Sequence, residues 1–105
     1  MLRIEDDGPV RRLTLDRPEV LNAFNDELIA ALSHAIIDLP TGTRAIVLRG
    51  EGRAFSAGGD LEWMRKAANY TEEQNFEDAM KLAQLFAAIA ESPAVVVAAV
   101  HGAAF

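Results

Sequence analysis

The 105-residue chain has no cysteine, two histidines, one tryptophan and one tyrosine. Missing thiols exclude disulfides, thiolate metal sites and a cysteine nucleophile. Their absence fits a reducing compartment, and the cytoplasm is the expected location. Positive charge is also scarce: ten Lys and Arg against sixteen Asp and Glu give a formal net charge of −6. That balance aids solubility but offers no basic footprint for a phosphate backbone, so nucleic acid is not an expected partner. Long hydrophobic runs are lacking. The longest nearly apolar stretch, Pro93 to Val100, falls far short of the ~20 residues needed to span a membrane, and no membrane partner is expected. Met1 to Arg12 holds three acids and three arginines without an apolar run, which is not signal-peptide composition. No cluster of His and acids has metal-ligand spacing, so no metal is expected.

What is present is a half-hydrophobic chain of single-domain length, able to build a core. Val10 to Leu15 reads as a strand that Asp16-Arg-Pro18 interrupts. Asn25 suits the cap of a helix with Asp26 and Glu27 in its first turn, and Leu28, Ile29, Leu32, Ile36 and Leu39 recur on one face. Pro40 and Gly42 close that helix, and Ala45 to Leu48 reads as a buried strand. Strand, helix, strand is a crossover unit of the α/β class. Leu61 to Ala68 starts a second helical segment. Thr71-Glu-Glu-Gln74 then forms a capping box for a third, along which Phe76, Ala79, Met80, Ala83, Phe86, Ala87 and Ala90 repeat at helical spacing. Ser92-Pro93 ends it, and Ala94 to Val100 reads as a buried strand. A domain seldom stops just after a central strand, so the chain is expected to be the amino-terminal part of a longer protein.

Between the second strand and the second helix lies Gly50-Glu-Gly-Arg-Ala-Phe-Ser-Ala-Gly-Gly-Asp-Leu61. Open α/β folds place ligands at such strand ends. Gly58 and Gly59 allow close backbone approach, and Asp60 is suited to cap the following helix. A purely structural turn is the competing reading. The loop lacks the Lys-Ser/Thr of a phosphate-binding Walker motif and the third glycine of a dinucleotide fingerprint. Ser56 lacks the Gly-x-Ser-x-Gly elbow and reads as a loop hydroxyl rather than a nucleophile. His34 reads as a helix-surface residue, whereas His101, after the last strand, is open to an active-site edge. Trp63 and Met64 suit either a pocket wall or helix packing, and Arg53 either a phosphate contact or solvent. Glu72, Glu73 and Glu77 read as a solvated face rather than an acid/base group. Residue chemistry alone stops at a ligand-binding loop in an α/β domain.

Asp16-Arg-Pro-Glu-Val-Leu-Asn-Ala-Phe24, Gly52-Arg-Ala-Phe-Ser-Ala-Gly-Gly-Asp-Leu61 and Pro93-Ala-Val-Val-Val-Ala-Ala-Val-His-Gly-Ala-Ala-Phe105 resemble, in order and separation, the enoyl-CoA hydratase/isomerase (crotonase) superfamily. The resemblance covers essentially the whole chain and implies the amino-terminal part of a spiral of ββα units that assembles as trimers or dimers of trimers. It implies binding of an acyl-CoA thioester, with CoA as part of the substrate and no separate cofactor. Two backbone amides hold the thioester oxygen in that family, and the motif makes Gly59 the first. Ala57, Gly58, Asp60 and Leu61 fall with it on the CoA-binding side, Asp60 as support for the loop. Leu21 and Ala23 lie in the segment that runs along the CoA arm. The stretch Asp60-Leu-Glu-Trp-Met-Arg65, with Ala68, Tyr70 and Glu73 to Ala79, resembles methylglutaconyl-CoA and related branched-chain enoyl-CoA hydratases.

The same resemblance places the second oxyanion glycine, the catalytic glutamates and the C-terminal helices after Phe105. The chain is therefore expected to be a partial CoA-binding domain, 1–105, of an enoyl-CoA hydratase, and to be inactive alone. Two alternatives stand: an enoyl-CoA isomerase, or a non-catalytic fragment or interaction module. Gly59 itself departs from the many relatives with alanine there, but the amide survives the change.

Overall fold

The computed structural model describes residues 1–104, so Phe105, the last residue of the terminal segment quoted above, lies outside them. Strands β1 (Leu2–Asp7) and β2 (Val10–Leu15) form an antiparallel hairpin in full register, Leu2 opposite Leu15 and Asp7 opposite Val10. Helix α1 (Asp26–Ile37) crosses back to β3 (Ala45–Gly50), which pairs parallel with β2. Short β4 (Ala54–Ser56), helix α2 (Leu61–Ala67) and helix α3 (Glu72–Glu91) lead to β5 (Val95–Ala98), parallel to β3. The main sheet runs β1-β2-β3-β5, and β4 pairs parallel with β6 (Ala103–Ala104) in a second, two-stranded sheet. Two successive β-β-helix passes make this an α/β architecture of the ββα type.

Register explains which side becomes core. Leu13 lies beside Leu48 and Ile46 beside Val96, so these side chains share one face of the sheet. They meet Leu28, Ile29, Leu32, Ala35 and Ile36 of α1 and Leu85 of α3 in a single apolar cluster. Asn25 caps α1, its side chain accepting from the Leu28 amide at 2.9 Å. At the other end Arg11 of β2 donates to the carbonyls of Ala35 and Asp38, so a strand residue closes the helix C-terminus. The Thr71–Gln74 capping box is formed, with the Thr71 amide donating to Gln74 at 2.9 Å and the Gln74 amide to Thr71 at 3.2 Å.

Four expectations change. The loop 50–60 contains strand β4, because Ala54–Ser56 pair with β6, a partner distant in the sequence. Leu39 lies past the end of α1, though it still packs on the core. Helix α3 forms as expected but turns its other stripe inward. Leu82, Leu85, Ala88 and Ile89 meet the core, while Phe76 and Phe86 are exposed by 65% and 61%. Strand β5 is shorter than expected and not buried on both sides: Val95 and Val97 are exposed, because the helices pack on the opposite face of the sheet. Strand β1 completes the sheet; its alternation is confined to Leu2-Arg3-Ile4-Glu5, before two aspartates.

Candidate functional site

Two loops meet at the carboxyl ends of β2 and β3: residues 16–24 after β2 and residues 50–61 around β4. Asn22 joins them. Its side chain is fully buried; Oδ1 accepts from the Arg17 amide at 2.8 Å, and Nδ2 donates to the carbonyls of Glu51 and Ala54, both at 2.9 Å. Leu21 and Asn22 both take left-handed backbone conformations, with φ of 53° and 55°. That geometry is costly for a leucine, and the Asn22 bonds hold it in place. Ser56 is 3% exposed; its hydroxyl donates to the Asn22 carbonyl at 3.0 Å and accepts from the Gly58 amide at 3.1 Å. This hydroxyl ties two loops together.

The glycine pair is aligned by the same lattice. The Ala57 amide donates to the Leu21 carbonyl at 2.8 Å, the Phe24 amide to the Gly58 carbonyl, and the Asp60 amide to the Phe24 carbonyl. Phe24 and Gly59 thus form a short parallel bridge. Successive peptide groups in such a bridge point to opposite sides. Gly58 O and Asp60 N turn toward Phe24, and the Gly59 N–H turns away. Among the described residues it donates to no acceptor. Gly58 sits at φ +86°, a conformation that only glycine takes readily. At Gly59 an added Cβ would meet Sδ of Met64 at 3.2 Å, the flexible end of a long side chain.

Asp60 anchors the loop to α2. Its Oδ1 accepts from the Trp63 amide and its Oδ2 from Arg17, both at 3.0 Å. The Trp63 amide, with help from Arg17, holds the Asp60 carboxyl below the usual aspartate range despite the opposing cost of burial. Arg17 also donates to the Ala23 carbonyl, so one guanidinium braces both loops. Arg17, Asn22 and Ser56 were not singled out from the sequence as the braces of this site. For Asn22 the signal lay inside the Asp16–Phe24 motif, where a polar Asn between Leu21 and Ala23 invites the question of what it bonds.

Gly59 lies where two cavities meet. One, of about 380 Å³, is lined by Gly58, Gly59, Leu15, Phe24, Trp63 and Leu85, among other apolar groups. The other, of about 660 Å³ and open to solvent, is lined by Leu21, Ala23, Ala57, Gly59, Asp60 and Leu61, with Arg53 at its wall. The structure therefore brings together every residue singled out for binding: Gly58 in the apolar cavity, Gly59 in both, the rest in the open cleft. A larger groove of about 820 Å³ between α1 and α3 passes His34, Lys81 and Glu91 and shares none of these residues. His101 Nε2 meets the Gly52 carbonyl at 2.9 Å at an exposed position and lines neither of the two cavities at Gly59. Among the described residues no group of three His, Cys, Asp or Glu is placed to hold a metal ion, and no helix is long and apolar enough to cross a membrane.

Comparison with known proteins agrees with the loop geometry. The enoyl-CoA hydratase/isomerase family pattern matches residues 5–105. A Thermus thermophilus protein assigned by name to the enoyl-CoA hydratases is 37% identical over 104 residues, which is 97% of this chain and 41% of the relative. The fold superposes with a TM-score of 0.94 on a Legionella pneumophila structure described as an enoyl-CoA hydratase/isomerase (crotonase), at 40% identity, covering 99% of this chain and 41% of the other. An enoyl-CoA hydratase from Shewanella pealeana gives the same score at 35% identity, covering 99% and 40%. The chain thus spans about two fifths of the length of the proteins it matches. With its ββα architecture, its glycine loop and a pattern match along almost all of its length, the chain belongs to the enoyl-CoA hydratase/isomerase, or crotonase, family.

Proposed function

We propose that this chain is the amino-terminal, thioester-binding part of an enoyl-CoA hydratase, with Gly59 N–H as one half of an oxyanion hole. The observation that carries the reading is the unpaired Gly59 amide at the junction of an apolar cavity and an open cleft. A thioester carbonyl placed there would send its enoyl tail inward and its CoA arm along Leu21, Ala23, Ala57 and Leu61. Hydrogen bonding to the carbonyl oxygen draws electron density from the conjugated double bond, so the β-carbon becomes electrophilic and water adds to it. A fixed amide pays little reorganisation as charge develops, and losing one such donor typically costs about 3 kcal/mol in barrier height. Asp60, Arg17 and Asn22 serve that step by holding the peptide still.

Hydration also needs a base to activate water and an acid to protonate the α-carbon. Among the described residues no carboxylate lines the apolar cavity, so those groups are assigned to residues after Phe105, together with the second amide. Assembly as a trimer or dimer of trimers belongs to the same proposal. For the acyl group, the branched-chain type suits a lining of Leu, Ile and Phe better than the methylglutaconyl type. The latter would bury a carboxylate where no Lys, Arg or His is among the described lining residues.

The test begins with intact mass, then binding and hydration of crotonyl-CoA on the same sample. Binding without turnover at 11.4 kDa is the expected result. Turnover at that mass would overturn the placement of the acids outside the chain, and failure to bind would overturn the thioester site. Gly59→Ala should bind crotonyl-CoA within about twofold of the parent chain, since the amide stays and the only atoms an added Cβ would meet belong to the half-exposed, flexible Met64 side chain.

A further inference from the structure

The Gly59 N–H donates to no acceptor among the described residues, and a methionine side chain lies beside it. A Cβ added at Gly59 would meet Sδ of Met64 at 3.2 Å and its Cγ at 3.8 Å. Met64 is held there by the first turn of α2, its amide donating to the Asp60 carbonyl at 2.9 Å. Standard bond lengths put an amide nitrogen about 2.5 Å from its own Cβ position, so Sδ lies within about 6 Å of the Gly59 nitrogen.

A thioether sulfur is a weak acceptor, so Met64 leaves the amide free. Oxidation reverses that. Methionine sulfoxide carries a polar S–O group on the same flexible stem. Its oxygen stands one bond beyond the sulfur, and rotation about the side-chain bonds brings it onto the amide. Peroxide makes this change in one step. A sulfur lone pair attacks one peroxide oxygen, the O–O bond breaks, and the leaving hydroxide takes the proton from the sulfur-bound oxygen and departs as water. Sulfur loses two electrons and the peroxide gains them. The chain has three methionines, and exposure does not separate them: Met1 is 41% exposed, Met64 50% and Met80 44%. Position does. Met1 precedes β1 and Met80 lies on the outward stripe of α3, and neither meets Gly59 or lines a cavity beside it.

We propose that Met64 is an oxidation site, modified by hydrogen peroxide, whose sulfoxide oxygen accepts the Gly59 N–H and so occupies the donor that a thioester carbonyl needs. The inference rests on the thioester reading above and adds to it a reversible means of closing the site. Because Gly59 has no Cβ, the thioether can rest this close to the amide.

The ¹⁵N-labelled chain is treated with hydrogen peroxide until peptide masses show each methionine one oxygen heavier, and crotonyl-CoA affinity is measured before and after. Oxidation is expected to move the Gly59 amide proton downfield and to weaken binding about tenfold, the factor equivalent to one ordinary hydrogen bond. Reduction by the two methionine sulfoxide reductases, one for each epimer, should restore both. In Met64→Leu the affinities before and after peroxide should agree within about twofold and the amide should stay in place, whereas Met80→Leu should behave as the parent chain. An unmoved Gly59 amide, an unchanged affinity, or a loss that persists in Met64→Leu would each overturn the inference. Should Met64→Leu not fold, the cycle of oxidation and reduction in the parent chain, with Met80→Leu beside it, still decides the matter. If the untreated chain does not bind crotonyl-CoA, the thioester reading falls, and the Gly59 resonance of the oxidised chain alone decides whether the sulfoxide takes that amide.

Discussion

Asn22 makes three hydrogen bonds from a fully buried side chain, to main-chain groups of both loops: Arg17 in its own, Glu51 and Ala54 in the other. Asn22→Ala strands those groups and puts alanine at φ 55°, so a loss of about 3 kcal/mol is expected in urea unfolding. Asn22→Asp should be worse, because a carboxylate would then face two carbonyl oxygens. A loss below about 1 kcal/mol in Asn22→Ala would show that the network is dispensable. Asp60 allows a test by pH. Its folded pKa lies below the ordinary aspartate value of 3.8, chiefly through the Trp63 amide. Its stabilisation is therefore complete above that pH and is lost as the pH falls below it through the folded value. Melting temperatures of the parent chain and Asp60→Asn should converge in acid and separate above about pH 4; parallel curves would rule out the linkage. Residues at this scale were unevenly legible. Gly59, Asp60 and the cleft residues stood out because a motif spells them, whereas Arg17, Asn22 and Ser56 act through hydrogen bonds across as many as 43 positions (Arg17 to Asp60), a separation no local pattern encodes.

Helix α3 shows what periodicity does and does not decide at the scale of an element. Its start is written locally: Thr71 and Gln74 close each other's amides within one turn, and that was readable as it stood. Its orientation is not local. The helix carries two apolar stripes, one through Phe76, Met80 and Phe86, the other through Leu82, Leu85 and Ile89, and packing on α1 and the sheet selects the second. Strand β1 was missed for the opposite reason. Its alternation, Leu2 and Ile4 against Arg3 and Glu5, is only four residues long and gives way to Asp6 and Asp7, which pair across the hairpin with Arg11 at 2.7 Å and Arg12 at 3.3 Å. Since Leu85 is the one α3 residue buried among those described, the first two turns depend on their cap. Thr71→Ala should cost about 1 kcal/mol and speed amide exchange over residues 72–80 more than over 82–90. Uniform acceleration along the helix would show that α3 opens as one unit and that the cap is not its weak point.

At the scale of the molecule, thickness governs behaviour. The shortest dimension is 17 Å, enough for one sheet and one layer of helices. The helices cover the sheet face that holds Leu13, Ile46 and Val96, so the register that buries those residues necessarily turns Val95 and Val97 of β5 the other way. Both are exposed, at 66% and 49%, and β5 is an edge strand with open main-chain groups on its outer side. Unpaired edges beside exposed valines favour association, and a net charge of −6 opposes it only over the short range that salt leaves unscreened. In sedimentation velocity at physiological salt, the weight-average mass should therefore rise above 11.4 kDa as concentration increases. The double substitution Val95→Lys and Val97→Lys places two charges on that face without touching the core side, and should hold the chain near its monomer mass. If the double variant associates as strongly as the parent chain, the exposed face of α3 with Phe76 and Phe86 is the adhesive surface instead. A parent chain that stays monomeric at every concentration would mean that a sheet this thin, with Val95 and Val97 exposed, is soluble on charge alone.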